Sequence, residues 1–252
     1  MNIGVITGAS SGLGKEYVRQ VVEQLPSVDE IWLIARRKER LEAIAAAYSD
    51  KTFRLLSLDL CLTEDREVLR QTLADIKPTV TLLINNAGYG KLGNFSEMPT
   101  ADQVGMVDLN CGALTAVTSL VLPYMVRGSG ILNVSSIASY VPTPRMTVYC
   151  STKAYVSSFS QSLRAELRPR GIHVLAVCPG PMATEFLDVA AITGHSKTFE
   201  SLPYCRPETV ARVSLSRLLR GKSWYTNRVF YKFYRVLAKL LPNRLLMKFS
   251  AV

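Results

Sequence analysis

Short runs of apolar and β-branched residues alternate with longer amphipathic stretches along most of this 252-residue chain. The short runs predict strands at 4–7, 30–35, 52–58, 81–85, 130–135 and 173–178. The longer stretches predict helices near 13–25, 38–48, 63–76, 101–123 and 149–168. Strands that are apolar on both faces and alternate with helices form a parallel sheet covered by helices. The pattern therefore predicts a doubly wound α/β fold in one domain.

Composition excludes several classes of protein. Apolar residues make up 48% of the chain and charged residues 20%, as in ordinary globular proteins, which excludes a disordered chain. The five cysteines form no CxxC pair, and two histidines are too few for a histidine-rich metal site. We see no leader sequence and no uninterrupted apolar run of about 18 residues. We therefore expect a cytoplasmic protein that holds no metal.

A glycine-rich turn joins the first predicted strand to the first predicted helix. It contains Gly8, Gly12 and Gly14 within the run Thr7 to Gly14. Glycines allow the backbone to approach a phosphate closely, and the helix N-terminus then offers free N–H groups and a positive dipole. A glycine-rich turn alone is often only a turn, but its place in an alternating α/β chain favours the binding of a dinucleotide in a Rossmann-type fold.

Further motifs follow in a fixed order. They are Asn85-Asn86-Ala87-Gly88, Asn110, Ser135-Ser136, a YxxxK motif formed by Tyr149 and Lys153, Pro179-Gly180, and Thr184. Together with the GxxxGxG spacing of the first turn, this order resembles the short-chain dehydrogenase/reductase family over roughly residues 1–185. The resemblance implies a nicotinamide-dependent oxidoreductase. It implies that Ser136, Tyr149, Lys153 and Asn110 are the catalytic residues, with Asn110 ordering a water that connects Lys153 to solvent.

The chemistry of the YxxxK motif agrees with this implication. Tyr149 and Lys153 are four residues apart, so both project from one face of a helix. A nearby ammonium, together with an oxidised nicotinamide, would lower the tyrosine pKa from about 10, so that Tyr149 exchanges a proton with the substrate oxygen. The family's serine lies 13 positions before the tyrosine, which selects Ser136 over Ser135. The alternative is that Tyr149 is a core residue and Lys153 a surface charge.

The end of the second predicted strand indicates which coenzyme is bound. Position 35 is Ala35, where an acidic side chain would bind the ribose hydroxyl of NAD, and Arg36 and Arg37 follow. Guanidinium groups match a 2′-phosphate, which favours NADP(H), with NAD(H) as a second possibility. The alternative is a basic helix start without a ligand. The resemblance implies an adenine contact at Asp59-Leu60, although Asp59 could instead cap the next helix.

The resemblance also implies the remaining coenzyme contacts. They are Gly8, Ser10, Ser11, Gly12, Leu13, Gly14, Asn86, Ala87, Gly88, Tyr149, Lys153, Pro179, Gly180, Met182 and Thr184.

The apolar segment 181–206 lies where this family places a lid over the substrate, and residues 140–146 could form another wall of the pocket. Apart from Arg145, no basic side chain is placed to receive an anion. We therefore expect an apolar secondary alcohol or ketone as substrate, such as a hydroxysteroid, a 3-oxoacyl compound or an aromatic ketone.

The C-terminal segment differs from the rest of the chain. Residues 206–252 contain 11 basic residues and one acidic residue, which accounts for the formal net charge of +10. A helix near 207–220 and a short edge strand at 224–226 are predicted first. We divide the chain into a catalytic domain, 1–227, and a basic amphipathic extension, 228–252.

Within that extension, basic and apolar residues form two opposing stripes at helical spacing. The basic stripe is Arg228, Lys232, Arg235 and Lys239; the apolar stripe is Phe230, Phe233, Leu237, Leu240 and Leu241. The helix could lie on an anionic membrane or pack its aromatic side on its own domain or on a second subunit. We favour packing, because so many aromatic residues are seldom left in water.

The sequence thus predicts a reversible, nicotinamide-dependent alcohol/ketone oxidoreductase. The alternatives are a catalytically idle dinucleotide sensor and a membrane-peripheral interaction protein. An intact Ser136, Tyr149 and Lys153 set argues against the sensor, which needs no proton relay. By resemblance alone we expect a homodimer or homotetramer paired through the fourth and fifth helices, and no nucleic-acid partner.

Overall fold

The apolar runs form the centre of a parallel sheet. The computed structural model describes residues 1–190 and 202–250, and the strands in it are β1 (Asn2–Thr7), β2 (Glu30–Ala35), β3 (Thr52–Ser57), β4 (Thr79–Asn85), β5 (Met125–Val134), β6 (His173–Val177) and β7 (Trp224–Tyr225). The strand order is β3-β2-β1-β4-β5-β6-β7, and every neighbouring pair is parallel. The predicted doubly wound, Rossmann-type α/β fold is confirmed.

Helices cover both faces of this sheet. They are α1 (Gly12–Gln24), α2 (Lys38–Ala46), α3 (Thr63–Ile76), α4 (Thr100–Val107), α5 (Leu114–Val121), α6 (Thr147–Leu167), α7 (Glu185–Val189), α8 (Pro207–Leu219), α9 (Val229–Leu240) and α10 (Asn243–Ser250). One core layer contains residues of α1 and α8, and the other contains residues of α3 and α5. The strand order reverses between β1 and β4, and such a switch point is where open α/β sheets bind ligands.

The predicted elements that differ most from those observed are the fifth strand and the fourth helix. The fifth strand begins at Met125 rather than at residue 130, because it also includes Met125, Val126 and the Arg127-Gly128-Ser129 stretch before its apolar run. The helix predicted over 101–123 is divided by a π-helical turn, Asp108–Ala113, between α4 and α5. Apolar periodicity does not reveal this turn, because the chain remains helical through it. π-helical turns are frequently found at functional sites.

The continuous helical run Thr100–Tyr124 is long and apolar enough to cross a membrane by those two criteria alone. Its position in the fold gives a different explanation. Val117 and Val121 are fully buried in the core layer on one face of the sheet, and Asn110 is buried beside the predicted site. The run therefore acts as a core helix of the sheet.

Helix α9, in the C-terminal extension, packs on the domain, but not by the face that we expected. Tyr231 is 0% exposed, its ring packs against Gly180, and its hydroxyl donates a hydrogen bond of 2.9 Å to the Pro203 carbonyl. Phe230 and Phe233 are exposed. The prediction that the apolar stripe is buried was wrong for both phenylalanines, because a tyrosine outside that stripe makes the contact with the domain.

A matched pair of substitutions on α9 tests this orientation. Tyr231→Ala should lower the free energy of unfolding by about 3–5 kcal/mol, because it removes a buried ring and leaves a cavity. Phe233→Ala, at a side chain on the outer side of the helix, should change it by less than about 0.5 kcal/mol. Urea unfolding of both variants measures the difference, and losses of equal size would contradict this packing.

Candidate active site

The glycine-rich turn after β1 is packed too closely to accept side chains. At Gly8, φ is +63°, and an added Cβ would lie 2.8 Å from Ala87 Cα. At Gly14, an added Cβ would lie 2.0 Å from the Gly8 carbonyl oxygen. Glycine is required at both positions, so that the start of α1 lies directly against the turn. This arrangement directs the N–H groups of the first turn of α1 toward the edge of the sheet.

The loop after β4 is hydrogen-bonded to this turn. The Thr7 hydroxyl accepts hydrogen bonds of 3.1 Å from the backbone N–H groups of Asn86 and Ala87. The Asn86 side-chain amide also donates to the carbonyls of Thr7 and Gly8, at 3.2 and 3.1 Å. The residues that precede and follow the switch point are therefore held as one unit.

A groove of about 890 Å³ crosses the switch point above these two loops. Its lining includes the predicted residues Gly8, Ser10, Ser11, Gly12, Leu13, Arg36, Arg37, Asp59, Leu60, Asn86, Ala87, Gly88, Ser136, Tyr149, Lys153, Pro179, Gly180, Met182 and Thr184. Gly14 and Asn110 do not line it. Gly14 lies beneath the turn, and Asn110 lies behind the wall of the groove. The structure thus brings all but two of the predicted site residues to one surface.

The end of the groove beside β2 is basic. Arg37 donates hydrogen bonds to the hydroxyls of Ser10 and Ser11, at 3.3 and 3.2 Å. Arg36 is more exposed and lies 3.8 Å from Asp59. Asp59 does not cap α3; its carboxylate accepts a 3.0 Å hydrogen bond from the Cys61 backbone N–H. Arg37 is therefore the arginine that is fixed above the glycine-rich turn.

Glu185 is a member of this basic end that the sequence did not indicate. Its carboxylate pairs with Arg37 at 3.1 Å and also contacts Arg40. Hydrogen bonds from Arg40 and Arg37 lower the pKa of Glu185. Because Glu185 begins α7, these ion pairs connect the predicted lid to the end of β2, 148 residues away in the sequence.

The opposite end of the groove contains the hydroxyl groups. Ser136 follows β5, and its hydroxyl accepts a 3.1 Å hydrogen bond from the Ala138 backbone N–H. The Tyr149 hydroxyl, in the first turn of α6, is close enough to the Ser136 side chain to interact with it. Ser135 faces away, and its hydroxyl donates to the Lys153 carbonyl at 2.8 Å. The structure therefore places Ser136, and not Ser135, beside Tyr149.

Burial determines the protonation of Tyr149. It raises the tyrosine pKa well above its ordinary value, and the nearby Ser136 side chain opposes this only in part. We expected Lys153 to lower this pKa. That prediction included an oxidised nicotinamide and stays a prediction; in the chain alone the Lys153 ammonium donates to the Val134 carbonyl, at 3.0 Å. Tyr149 therefore carries its proton at neutral pH.

Lys153 is itself buried beneath the groove. Burial lowers its pKa to about 8, so it is still mostly protonated at pH 7. Its ammonium lies 5.8 Å from the centre of the Tyr149 ring. A tyrosine whose pKa is raised and a lysine whose pKa is lowered thus lie together at one end of the groove. Shifted pKa values of this kind are typical of sites for proton transfer.

Asn110 supports this pair from the π-helical turn. Its side-chain oxygen accepts a 3.0 Å hydrogen bond from the Tyr89 backbone N–H, and its amide donates 2.8 Å to the Tyr89 carbonyl and 3.0 Å to the Thr152 hydroxyl. Asn110 therefore fixes the loop after β4 against α6. Its predicted role in ordering a water stays a prediction.

Aromatic and apolar side chains form the outer wall beside Tyr149. The rings of Tyr149 and Phe186 lie 5.6 Å apart, and Phe186 belongs to α7. This wall also contains side chains that were not predicted from the sequence, Tyr89, Tyr231 and Tyr234. Tyr89 lies in the loop after β4, and the other two lie in α9. No motif in the sequence marks them. Part of the predicted lid, including Ile192 and Phe199, lies outside the described residues.

The groove fits a dinucleotide coenzyme. It joins a glycine-rich helix start, which suits a pyrophosphate, to two arginines at one end and a buried Lys–Tyr pair at the other. Its volume lies within the range of sites for ligands of this size. The fold and this groove together define a dinucleotide-dependent enzyme of the Rossmann type.

Comparison with known proteins agrees with this class. A family model for short chain dehydrogenase matches residues 2–192. The chain is 31% identical to a very-long-chain 3-oxoacyl-CoA reductase from Macaca fascicularis, over 82% of this chain and 67% of the relative. It is 35% identical to a serine 3-dehydrogenase from Agrobacterium fabrum, over 72% of each chain. The chain belongs to the short-chain dehydrogenase/reductase family.

Solved structures support the same assignment. A short-chain dehydrogenase from Sphingobium yanoikuyae, solved in complex with NADPH, is 28% identical to this chain and superposes with a TM-score of 0.81, covering 98% of this chain and 96% of that one. The protein is accordingly a nicotinamide-dependent oxidoreductase that acts on alcohol or ketone groups. The comparisons give no support to the alternative of a catalytically idle sensor.

The lowered pKa of Lys153 predicts how activity depends on pH. With saturating coenzyme, kcat/KM for ketone reduction should be level near pH 7 and fall as the pH rises through about 8, because Lys153 loses its charge there. Tyr149 stays protonated over this range because burial raises its pKa. Lys153→Arg keeps its charge and should show no fall near pH 8 in whatever activity remains. A level wild-type profile from pH 7 to 9.5 would contradict this role of Lys153.

Proposed function

We propose that the chain exchanges a hydride reversibly between NADP(H) and an apolar secondary alcohol or ketone. The observation that carries this proposal is the placement of Ser136, Tyr149 and Lys153 together in the lining of the groove, beside an aromatic wall. When bound, the nicotinamide supplies or accepts the hydride. The protein's own residues position the substrate and move the proton.

The roles of these residues follow from their protonation. Tyr149 is protonated because it is buried, so it donates its proton to the carbonyl oxygen during reduction. Ser136 donates a hydrogen bond to the same oxygen and stabilises the charge that develops there. Lys153 holds the ribose hydroxyls and places a positive charge beneath Tyr149, which favours the tyrosinate after the proton leaves. Asn110 acts as a positioning residue, because it contacts neither end of this transfer directly.

Substitution of the phenol tests the proton transfer. Tyr149→Phe keeps the ring and removes the hydroxyl, and it should lower kcat by about 10²–10⁴-fold while the affinity for coenzyme stays within a factor of two or so. Tyr155→Phe provides a matched control, because it makes the same change on the exposed side of the same helix. Turnover of Tyr149→Phe close to that of the control would show that another group supplies the proton.

The coenzyme is proposed from the basic end of the groove. Arg37 lies above the glycine-rich turn, and Arg36 is nearby, so both can reach a 2′-phosphate. The similar Sphingobium yanoikuyae structure holds NADPH. NAD(H) lacks the phosphate and is the second coenzyme. Glu185 opposes this preference, because its carboxylate competes with the phosphate for Arg37.

Two variants should therefore change coenzyme preference in opposite directions. Replacing Arg36 and Arg37 with alanine should weaken NADPH binding at least about tenfold more than NADH binding, because each hydrogen bond to a charged group contributes about 1.5–3 kcal/mol. Glu185→Gln should raise the affinity for NADPH relative to NADH, because a neutral amide no longer repels the phosphate. Fluorescence titration with both coenzymes measures these ratios. Equal affinities in the wild type would refute the proposal for the arginines, and a lowered NADPH preference in Glu185→Gln would refute it for Glu185.

The substrate class is proposed from the wall beside Tyr149. Phe186, Phe230, Tyr231 and Tyr234 present aromatic surface where a substrate chain or ring would lie. A hydroxysteroid, a 3-oxoacyl compound or an aromatic ketone fits such a wall, and several relatives are very-long-chain 3-oxoacyl-CoA reductases. A panel of these ketones, with serine as a polar comparison, tests the class. Faster turnover of serine than of every apolar ketone would overturn it.

A homo-oligomer, either a dimer or a tetramer, is proposed from apolar residues that lie on the surface. Val104 and Val107 on α4 and Tyr155 on α6 are exposed, and these helices are the fourth and fifth of the sequence analysis. Pairing of these helices between subunits would bury the exposed apolar residues. Light scattering gives the subunit count directly, and a monomer at micromolar concentration would refute the proposal.

The proposed location is the cytoplasm, with peripheral contact to a membrane through residues 228–252. On α9, Val229, Phe233 and Leu240 are 80%, 62% and 74% exposed, and basic residues run along the same helix. An apolar face beside basic side chains is the pattern of helices that lie in a membrane interface. This proposal replaces our expectation that the apolar stripe of α9 is buried.

Co-sedimentation with vesicles tests the membrane contact. The protein should bind vesicles of phosphatidylcholine and phosphatidylserine, and less at high salt, because each basic residue near the surface contributes roughly 1 kcal/mol. Replacing Phe233 and Leu240 with serine should abolish binding. Replacing Leu62 and Val68 with serine removes exposed apolar side chains elsewhere and should leave binding unchanged. Equal binding by the two double variants would contradict a role for α9.

A further inference from the structure

A second cleft, of about 520 Å³, lies between β7 and α9, apart from the active-site groove. Four basic side chains line it, Arg217 from α8 and Lys232, Arg235 and Lys239 from α9. No acidic residue is among its lining residues. In the part of the chain that the structure describes, none of the four forms a salt bridge. The cleft therefore collects positive charge that the described residues do not neutralise.

Aromatic rings fix two of these cations in place. The Arg235 guanidinium lies 4.0 Å from the centre of the Trp224 ring, and the Arg217 guanidinium lies 5.9 Å from that of Tyr225. The Trp224 indole N–H donates to the hydroxyls of Tyr140 and Thr226, each at 3.2 Å. Cation–π contacts hold the guanidinium groups without neutralising their charge, so their N–H donors stay available. Guanidinium groups held in this way match the geometry of a phosphate.

The sides of α9 face different surroundings. Phe230, Tyr231 and Tyr234 line the active-site groove, whereas Lys232, Arg235 and Lys239 line the basic cleft. The side that carries Val229, Phe233 and Leu240 is exposed and lines neither. A molecule that places an anionic group in the cleft and apolar chains beside it would match both surfaces. A phospholipid has this combination of groups.

We propose that this cleft is a binding site for a phosphate group. Its source is a phospholipid headgroup when α9 lies on a membrane. The anion site itself stands on the four cations and the aromatic rings, whereas the lipid source rests on the membrane contact proposed above.

The anion site is tested with inorganic phosphate on the full chain, with NADP⁺ present to occupy Arg37 and with ionic strength held constant by chloride. Trp224 is the reporter, and the chain contains one other tryptophan, so Trp224→Phe identifies its signal. Phosphate should change this fluorescence saturably. The double variant Arg217→Gln, Lys239→Gln should weaken phosphate binding at least tenfold. Arg220→Gln with Lys222→Gln removes equal charge outside the cleft and should bind as the wild type does.

Vesicles distinguish the source of the phosphate. The wild type should bind phosphatidylcholine vesicles that contain phosphatidic acid better than pure phosphatidylcholine, and the cleft variant should lose this preference. Phosphate binding without vesicle binding would assign the cleft to a free phosphate compound and overturn the lipid source. Vesicle binding that is the same in the cleft variant and its control, with no saturable effect of phosphate, would overturn the anion site. That last result would leave the membrane contact standing through the apolar residues Phe233 and Leu240.

Discussion

The reversal of strand order between β1 and β4 is the constraint on which the rest of the site depends. Because the strands are parallel, their carboxyl ends open at one edge, and the loops that follow them must diverge there. Asn86 closes the gap by donating hydrogen bonds to the Thr7 hydroxyl and to the carbonyls of Thr7 and Gly8, so the two loops form one floor. The glycine-rich turn is thereby held in place with its N–H groups directed at the groove.

Burial has the same effect on both members of the proton-transfer pair, since it favours the neutral form of each. It raises the pKa of Tyr149 and lowers that of Lys153 to about 8. The pair therefore keeps its proton on the tyrosine before coenzyme binds, which suits reduction. Oxidation needs a lower tyrosine pKa. The added positive charge of an oxidised nicotinamide would supply it, so the coenzyme itself would set which direction the pair serves.

The sequence predicted the strands well, and the fold brings most of the site motifs to one groove, for a physical reason. Strands that are buried on both faces require continuous apolar runs, and glycines at Gly8 and Gly14 are required by contacts within their own loop and the neighbouring one. The same reasoning failed where a contact joins distant segments. In the sequence, Glu185 and Arg37 look like any other charged residues. Only the fold brings them into contact. The π-helical turn at Asn110 likewise leaves no mark in the apolar period.

Helix α9 shows a further limit of what apolar periodicity can predict. It also connects the proposed substrate class to the proposed membrane contact. Helical spacing separates a basic stripe from an apolar one, but it does not show which side of the helix packs on the domain. In the structure, the side that packs is the one that carries the buried Tyr231. Because α9 forms part of the groove wall on one side and is exposed on another, any surface that it contacts lies within one helix diameter, about 10–12 Å, of the groove. If that surface is a membrane, an apolar substrate dissolved in the membrane would reach Tyr149 without crossing bulk water. The class of substrate and the place of the enzyme in the cell would then depend on the same twelve residues.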